Sequence, residues 1–389
     1  MQPRRRLPSC IYPITDPAQA GSPSHAALTR ALLRGGARWL QLRDKSRTAS
    51  ELVEDFRRAC REARKRGALA IINDRVDLVL AVGAAGVHVG EEDLPAQEAR
   101  RLLGPAALIG VSTHSVSAAE RASRLPVDYV ALGPIYRSPS RPGAHRALGL
   151  EPLRRARTKV ALPLVAIGGI NTERLAEVLR AGADAAAIIS GVCAAPEGAE
   201  ARVRVLIRDA RRVVAQRLLK GRHLYVVGFM GAGKSSVGPV VARALSRPFI
   251  DLDREIECAA GMRIAELFDR CGEAHFRLLE RRTLFRVSRG REAVIALGGG
   301  ALGEPSSVRC VRRTGRSVWL HASFETLQRR CRGPGAPERP LMRDRGLSRR
   351  LYRTRQALYS KSDFKVSTAR LDEERVAARI LAWVERREG

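Results

Sequence analysis

At 389 residues with 45% apolar side chains, the chain is long enough for two domains and suited to burying a core in each. It lacks an apolar run of the ~18 residues a membrane span needs, and its basic start leads into no apolar signal core, so a cytoplasmic chain without membrane association is expected. The net charge of +30 invites a nucleic-acid reading, but only seven of the seventy basic residues are lysine, the arginines spread along predicted helix faces, and 4% aromatic content supplies few stacking platforms. Salt-sensitive attraction to polyanions is expected rather than a specific nucleic-acid partner. Cys10, Cys60, Cys193, Cys258, Cys271, Cys310 and Cys331 show no Cys-x-x-Cys spacing and read as free thiols.

From residue 9 onward, short apolar runs alternate with amphipathic stretches. The runs "CIYPIT", "ARWLQLR", "ALAIIND", "AGVHVG", "ALIGVS", "DYVALG", "PLVAIGG" and "DAAAIIS" read as strands. Between them lie helical patterns, clearest in "TASELVEDFRRACREARKRG", where Leu52, Val53, Phe56, Cys60 and Ala63 fall on one face. Eight such units in about 215 residues predict a (β/α)8 TIM barrel. A final helix, "GAEARVRVLIRDARRVVAQRLL", runs into the next strand through "KGRH" with no Gly/Ser or Pro-rich linker. Pattern alone sets the expected domains at residues 1–219 and 220–389. In such a barrel the chemistry sits at the carboxyl ends of the strands. There the sequence places Gln41, Arg43 and Lys45, then Asn73 and Asp74, then Gly90 to Asp93, then Ser112 and His114. "GPIYRSPSRPG", Gly168 with Gly169, and Ile189 with Ser190 complete the rim. Cations there suit phosphates and carboxylates suit Mg2+.

The second half opens on "YVVGFMGAGKSSVG", a strand, then Gly-x-x-x-x-Gly-Lys-Ser, then a helix. That context predicts a phosphate-binding loop. Backbone N–H groups of Gly231, Ala232, Gly233, Lys234, Ser235 and Ser236 would surround the phosphates of ATP, with Lys234 on the β/γ oxygens and the Ser235 hydroxyl on Mg2+. In "PFIDLDREI", Asp251 and Asp253 are expected to project from one side of a strand end, one toward Mg2+ and one toward an acceptor hydroxyl. A helix-capping aspartate is an equal reading.

The barrel rim carries Gln-x-Arg-x-Lys, Asn-Asp, Gly-x-His-x-Gly-x-x-Asp, Gly-x-Ser, Ile-Gly-Gly-Ile and Ile-Ser, and so resembles thiamine phosphate synthase over about residues 9–195. The resemblance implies joining hydroxymethylpyrimidine diphosphate to a thiazole phosphate with release of pyrophosphate. It further implies that Asp74 and Asp93 hold Mg2+, that Arg43, Lys45 and Asn73 grip the diphosphate, and that Gln41 and Ser112 line the pyrimidine site. Gly168 or Gly169, with the backbone of Ile189 and Ser190, would cradle the thiazole phosphate. Ser138, Ser140 and Arg141 stand where the family has Thr-x-Thr-Lys and are expected to bind substrate, with arginine bulkier and differently forked than lysine. A thiazole tautomerase using His114, or a silent scaffold for the second half, is the alternative. His88 and His114 also have a plain reading as strand-end groups that satisfy backbone.

The phosphate loop, Asp-x-Asp, "GEAHFRLLE", "GGG", "ERPLM" and "RQALY", in that order, resemble shikimate kinase over residues 223–386. This implies a P-loop, nucleoside-monophosphate-kinase-like, doubly wound α/β domain that phosphorylates the shikimate 3-hydroxyl. Asp253 would bind and deprotonate or orient that hydroxyl, and Asp251 would sit behind the magnesium. Arg277 and Arg355 would clamp the shikimate carboxylate, with Glu280 orienting Arg277. Gly299 would let backbone approach the ring, and Arg339 would swing onto the phosphates from a lid. Arg330 is the candidate on the adenine side, and Ala357 replaces the proline usual before Leu-Tyr. A gluconate kinase or a basic nucleic-acid-binding protein is the rival reading. The whole reads as a bifunctional fusion acting on small molecules, without channelling, and with a homodimer left open.

Overall fold

The structure is a computed structural model that describes residues 7–22, 24–137, 146–193, 196–332 and 344–388. The chain folds as two compact units, Met1–Val214 and Ala215–Gly389. The division between these compact units falls inside one helix, Pro196–Leu218. A helix that continues through a boundary leaves no Gly/Pro signal to read.

In the first unit eight strands form a closed, all-parallel barrel: Ile11–Thr15 (β1), Trp39–Leu42 (β2), Leu69–Asn73 (β3), Gly86–Val89 (β4), Leu108–Thr113 (β5), Tyr129–Leu132 (β6), Leu164–Ile167 (β7) and Ala185–Ile188 (β8). β1 closes the ring against β8, pairing Ile11 with Ala186 and Pro13 with Ile188. Helices follow the strands, so both faces are covered and the strands read as unbroken apolar runs. The helix Ala49–Lys65 starts from a capping box in which Thr48 and Glu51 satisfy each other's backbone N–H groups. Its Leu52, Phe56, Cys60 and Ala63 are buried as the spacing predicts, and Val53 is only half-buried.

Scarce aromatics are concentrated in the lumen. Tyr12 stacks on Trp39 with ring centroids 3.8 Å apart, and Tyr129 packs edge-on to both. Small residues on the later strands, Ala131, Ala185 and Ala187, leave room for them. Since all strands are parallel, their carboxyl ends share one rim. That places Gln41, Asn73, Ser112, Gly168 and Ile189 at one end of the barrel.

The second unit is a five-stranded parallel sheet in the order β10-β11-β9-β12-β13, built from His223–Val227 (β9), Phe249–Asp251 (β10), Val294–Ala296 (β11), Gly315–His321 (β12) and Phe364–Ser367 (β13). The central strand β9 is fully buried and feeds the Gly-rich loop, which leads into the helix Lys234–Leu245. Among the described residues no helix is long and apolar enough to cross a membrane.

Candidate active sites

On the barrel rim two cations already have carboxylate partners. Arg43 donates to Asp16 at 3.3 Å, and the Lys45 ammonium lies 2.5 Å from an Asp74 oxygen. Asp74 follows β3 with φ +62°, a left-handed backbone that aspartate tolerates better than most residues but that still stores strain. Asp93 accepts from the Gly90 amide at 2.7 Å. Burial, and next the hydrogen bond and negative charge of Asp74, push the Asp93 carboxyl above its usual range. Two hard oxygen donors at neighbouring strand ends, one of them bonded to Lys45, suit a divalent cation. Among the described residues no third His, Cys, Asp or Glu joins them in a cluster.

Below the rim a buried polar chain crosses the lumen. Gln41 donates to the Tyr12 hydroxyl at 3.2 Å, and Tyr12 and Tyr129 share a hydrogen bond of 3.0 Å. Tyr129 meets His88 Nδ1 at 3.0 Å, and His88 Nε2 meets Ser112 at 2.8 Å. The two residues expected to line one pocket, Gln41 and Ser112, are thus ends of one network. Burial lowers the His88 pKa to about 4, so the ring is neutral at physiological pH. Both tyrosines are pushed well above their usual range by burial. His114 Nδ1 bonds to the Gly133 carbonyl at 2.7 Å, in keeping with its plain reading, whereas His88 contacts side chains. Gly168 and Gly169, both at positive φ, and Ile189 with Ser190, at the start of the short helix Ser190–Cys193, follow β7 and β8 on the same rim.

In the second unit Gly231 and Gly233 take φ of +75° and +92°, which turns the chain tightly before the helix Lys234–Leu245. Lys234 donates to the Gly228 carbonyl at 2.8 Å, and the Ser235 hydroxyl donates to Asp251 at 3.0 Å. Asp251 ends β10 and also caps the next helix by accepting from the Asp253 amide. The expectation of two strand aspartates is therefore corrected. Asp253 lies in the first turn of the helix Leu252–Ala260, because the capping carboxylate ends the strand one residue earlier. The capping reading of Asp251 is the one seen here, and its second oxygen accepts from Ser235.

A kink at Gly272, φ +77°, re-aims the long helix Ile264–Val287 so that its second part carries Arg277 and Glu280. Arg277 donates to Glu280 at 2.7 Å and to Glu273 at 3.0 and 3.2 Å. Glu280 Oε1 is buried without a hydrogen-bond partner among the described residues. Burial raises the Glu280 pKa, and the ion pair with Arg277 opposes that shift. The loop after β11 explains its three glycines. A Cβ on Gly298 would lie 2.6 Å from Glu280 Oε1 and 2.7 Å from an Asp253 oxygen. One on Gly299 would lie 2.4 Å from an Arg355 nitrogen, and one on Gly300 would lie 2.3 Å from an Arg277 nitrogen. Residues far apart in sequence thus meet around three consecutive glycines. Tyr359 donates to the Gly299 carbonyl at 2.7 Å and holds that loop. Arg330 donates to the Thr368 hydroxyl and carbonyl at 3.0 and 2.6 Å. Ser138, Ser140, Arg141 and Arg339 lie outside the described residues.

Residues 11–192 match the family model described as thiamine monophosphate synthase, and residues 230–385 match that described as shikimate kinase. The first half is 42% identical over 199 residues to a thiamine-phosphate synthase of Chloroflexus aurantiacus, covering 51% of this chain and 92% of that one. It is 45% identical over 204 residues to that of Moorella thermoacetica, covering 52% and 97%. A shikimate kinase structure from Aquifex aeolicus is 34% identical, covers 42% of this chain and 96% of its own, and has a TM-score of 0.38. The chain belongs to both families. In its thiamine-phosphate synthase half, the sequence reading missed Asp16, Tyr12 and Tyr129. Tyr12 with Ile14, and Tyr129 with Ala131, alternate along their strands toward the lumen, so period-two counting marks them as inward-facing but not as partners. In its shikimate kinase half, the reading named the charged groups and missed the packing role of Gly298 and Gly300.

Proposed function

We propose that the chain is a bifunctional enzyme that makes thiamine phosphate in residues 1–219, a TIM barrel, and phosphorylates shikimate in residues 220–389, a P-loop domain of nucleoside-monophosphate-kinase type. In the first reaction the bond between the pyrimidine methylene carbon and the diphosphate oxygen breaks, and the thiazole nitrogen takes the carbon. The leaving group carries away the electron pair as pyrophosphate, so no general base is required. Arg43, Lys45 and Asn73 hold that leaving group, and Gln41 and Ser112 orient the ring. Gly168 or Gly169, with Ile189 and Ser190, hold the thiazole phosphate. Asp74 and Asp93 fit Mg2+, which would supply charge neutralisation on the diphosphate. The pairing of Arg43 with Asp16 and Lys45 with Asp74 supports this reading, since a rim that keeps its cations matched is ready to exchange carboxylates for phosphates.

In the second reaction the shikimate 3-hydroxyl attacks the γ-phosphorus of ATP. Asp253 orients the hydroxyl and takes its proton, and Lys234 and the loop amides follow the charge on the phosphates. Arg277 and Arg355 hold the shikimate carboxylate through planar forks. Ser235, beside Asp251, fits Mg2+ held by the phosphates. The convergence of Asp253, Glu280, Arg277 and Arg355 on residues 298–300 carries this half. Roles for Arg339 at the phosphates, and for Ser138, Ser140 and Arg141 at the thiamine-phosphate site, rest on the family patterns alone. A cytoplasmic setting fits both sets of substrates.

The test is the whole chain with Mg2+ and both thiamine precursors, assayed for thiamine phosphate, and the same preparation with ATP and shikimate, assayed for the phosphorylated product. Asp93→Ala should abolish the first product and leave the second. Absence of thiamine phosphate from the unmodified chain, with kinase activity intact, would overturn the first assignment. Absence of shikimate phosphorylation would overturn the second.

A further inference from the structure

Between Arg43 and Lys45 lies Asp44, a carboxylate that faces away from both. Its Oδ1 accepts from the Ser46 amide and hydroxyl at 2.9 and 2.8 Å and from the Arg47 amide at 3.1 Å. Its Oδ2 accepts from Arg47 Nε at 2.9 Å and meets His25 Nε2 at 3.3 Å. Only 7% of the Asp44 side chain is exposed and none of His25. His25 is itself fixed at both ring nitrogens and at its backbone N–H. Thr15 bonds its Nδ1 at 2.7 Å, and Asp55 accepts its backbone N–H at 2.8 Å. Asp55 also lies 3.5 Å from Arg47, which therefore bridges two carboxylates from different elements.

Thr15, His25 and Asp44 follow the order of a nucleophilic triad, but Thr15 is fully buried and bonds the Gln41 carbonyl at 3.1 Å. No substrate reaches that hydroxyl, so the cluster acts on geometry and not on covalent bonds. Its members come from β1, from the helix His25–Arg34, from the loop after β2 and from the helix Ala49–Lys65. Each element carries or abuts the loop that presents the two cations.

We propose that Asp44, locked by His25 and Arg47, is a positioning residue that sets the span between Arg43 and Lys45 so that the two cations bracket one diphosphate. The inference rests on the thiamine-phosphate reading of the barrel. Arg43 reaches toward Asp16 and Lys45 toward Asp74, one on each side of the tethered residue. Loss of the tether lets both ends of a three-residue segment drift, and a misplacement of about 1 Å is enough to cost on the order of a hundredfold in a preorganised site.

The experiment uses the whole chain and pyrophosphate with Mg2+ as the probe, by titration calorimetry and as a product inhibitor. Asp44→Ala should weaken pyrophosphate binding at least about tenfold and raise KM for the pyrimidine diphosphate in proportion. KM for the thiazole phosphate should stay within about twofold, which a general loss of barrel structure would not allow. Asp44→Asn keeps an acceptor for the Ser46 and Arg47 amides, and Arg47→Gln removes a side chain that is one-third exposed. Both should fold and give intermediate losses if Asp44→Ala does not fold. Unchanged pyrophosphate affinity in Asp44→Asn and Arg47→Gln, or equal rises in both KM values, would overturn the proposal. Arg43→Ala separates the two levels. If it abolishes pyrophosphate binding while the Asp44 and Arg47 variants bind normally, only the positioning role fails. If Arg43→Ala itself binds normally, the diphosphate reading fails and the positioning role with it.

Discussion

Adding one methyl group at a time to residues 298–300 tests whether those glycines exist to admit the charged side chains beside them. At Gly300 the backbone has φ −108° and ψ −7°, which alanine adopts, so the substitution introduces no backbone strain. The new Cβ would stand 2.3, 2.6 and 2.7 Å from Nη1, Cζ and Nη2 of Arg277. Ordinary contact needs about 3.5 Å, so the whole guanidinium must retreat by roughly 1 Å. That retreat breaks the alignment with Glu280, now 2.7 Å, and moves the fork off a bound carboxylate. A charge-assisted hydrogen bond contributes about 1.5–3 kcal/mol, so KM for shikimate should rise roughly ten- to a hundredfold. At Gly299 the Cβ meets Arg355 at 2.4 Å from the terminal nitrogen but 3.2 Å from Cζ, so the tip can swing aside and the loss should be smaller. Steady-state kinetics with each substrate varied, beside thermal unfolding, decide the matter. KM for ATP should stay within about twofold in both variants, because Lys234 and the Gly-rich loop are untouched. A Gly300→Ala enzyme with normal KM for shikimate would refute the packing argument. Parallel rises in both KM values would show loop collapse instead.

The buried histidine of the barrel predicts a pH effect with a definite sign. His88 titrates near 4 in the fold and near 6.5 when unfolded, so the unfolded chain takes up the proton first as pH falls. Its contribution is complete above about pH 6.5 and is lost toward pH 4, at about 1.4 kcal/mol per pH unit and about 3 kcal/mol in all. Urea unfolding of the barrel between pH 7.5 and 4.5 should therefore be steeper in pH for the unmodified chain than for His88→Gln, and equal slopes would exclude the shift. Thiol reactivity gives a further check. Burial raises Cys60 to about 12 and Cys193 to about 11, whereas Cys258 and Cys271 are exposed. A disulfide reagent at pH 8 should label Cys258 and Cys271 rapidly and reach Cys60 and Cys193 only on unfolding, read by mass spectrometry of the labelled peptides. Fast labelling of Cys60 would contradict the packing of the helix Ala49–Lys65.

What could be read from sequence and what could not separate along a physical line. The eight barrel strands were legible because a parallel strand covered on both faces is a short apolar run, and each run here ends in polar or glycine residues at the rim. Arg43, Lys45, Asp74 and Asp93 were legible for the same reason, since strand ends are fixed by the runs. Pairings between distant elements were not. Tyr12 and Tyr129 are separated by 117 positions and meet only because the barrel closes. Asp253 was misplaced onto a strand because a carboxylate that ends a strand and one that caps a helix look alike until the acceptor's partners are known. The three glycines make the distinction sharpest. Sequence shows that residues 298–300 have no side chains, but not that Asp253, Arg277, Glu280 and Arg355 occupy the space those side chains would take. Absence of a side chain is a local fact, and its use is set by whichever groups the fold delivers to the gap. The same reasoning applies to Asp44. Sequence shows it flanked by two candidate diphosphate ligands and says nothing of its partners, whereas its hydrogen bonds turn it inward to His25 and Arg47. A charge beside a binding motif is thus equally suited to holding the ligand or to holding the motif, and only its partners decide between the two.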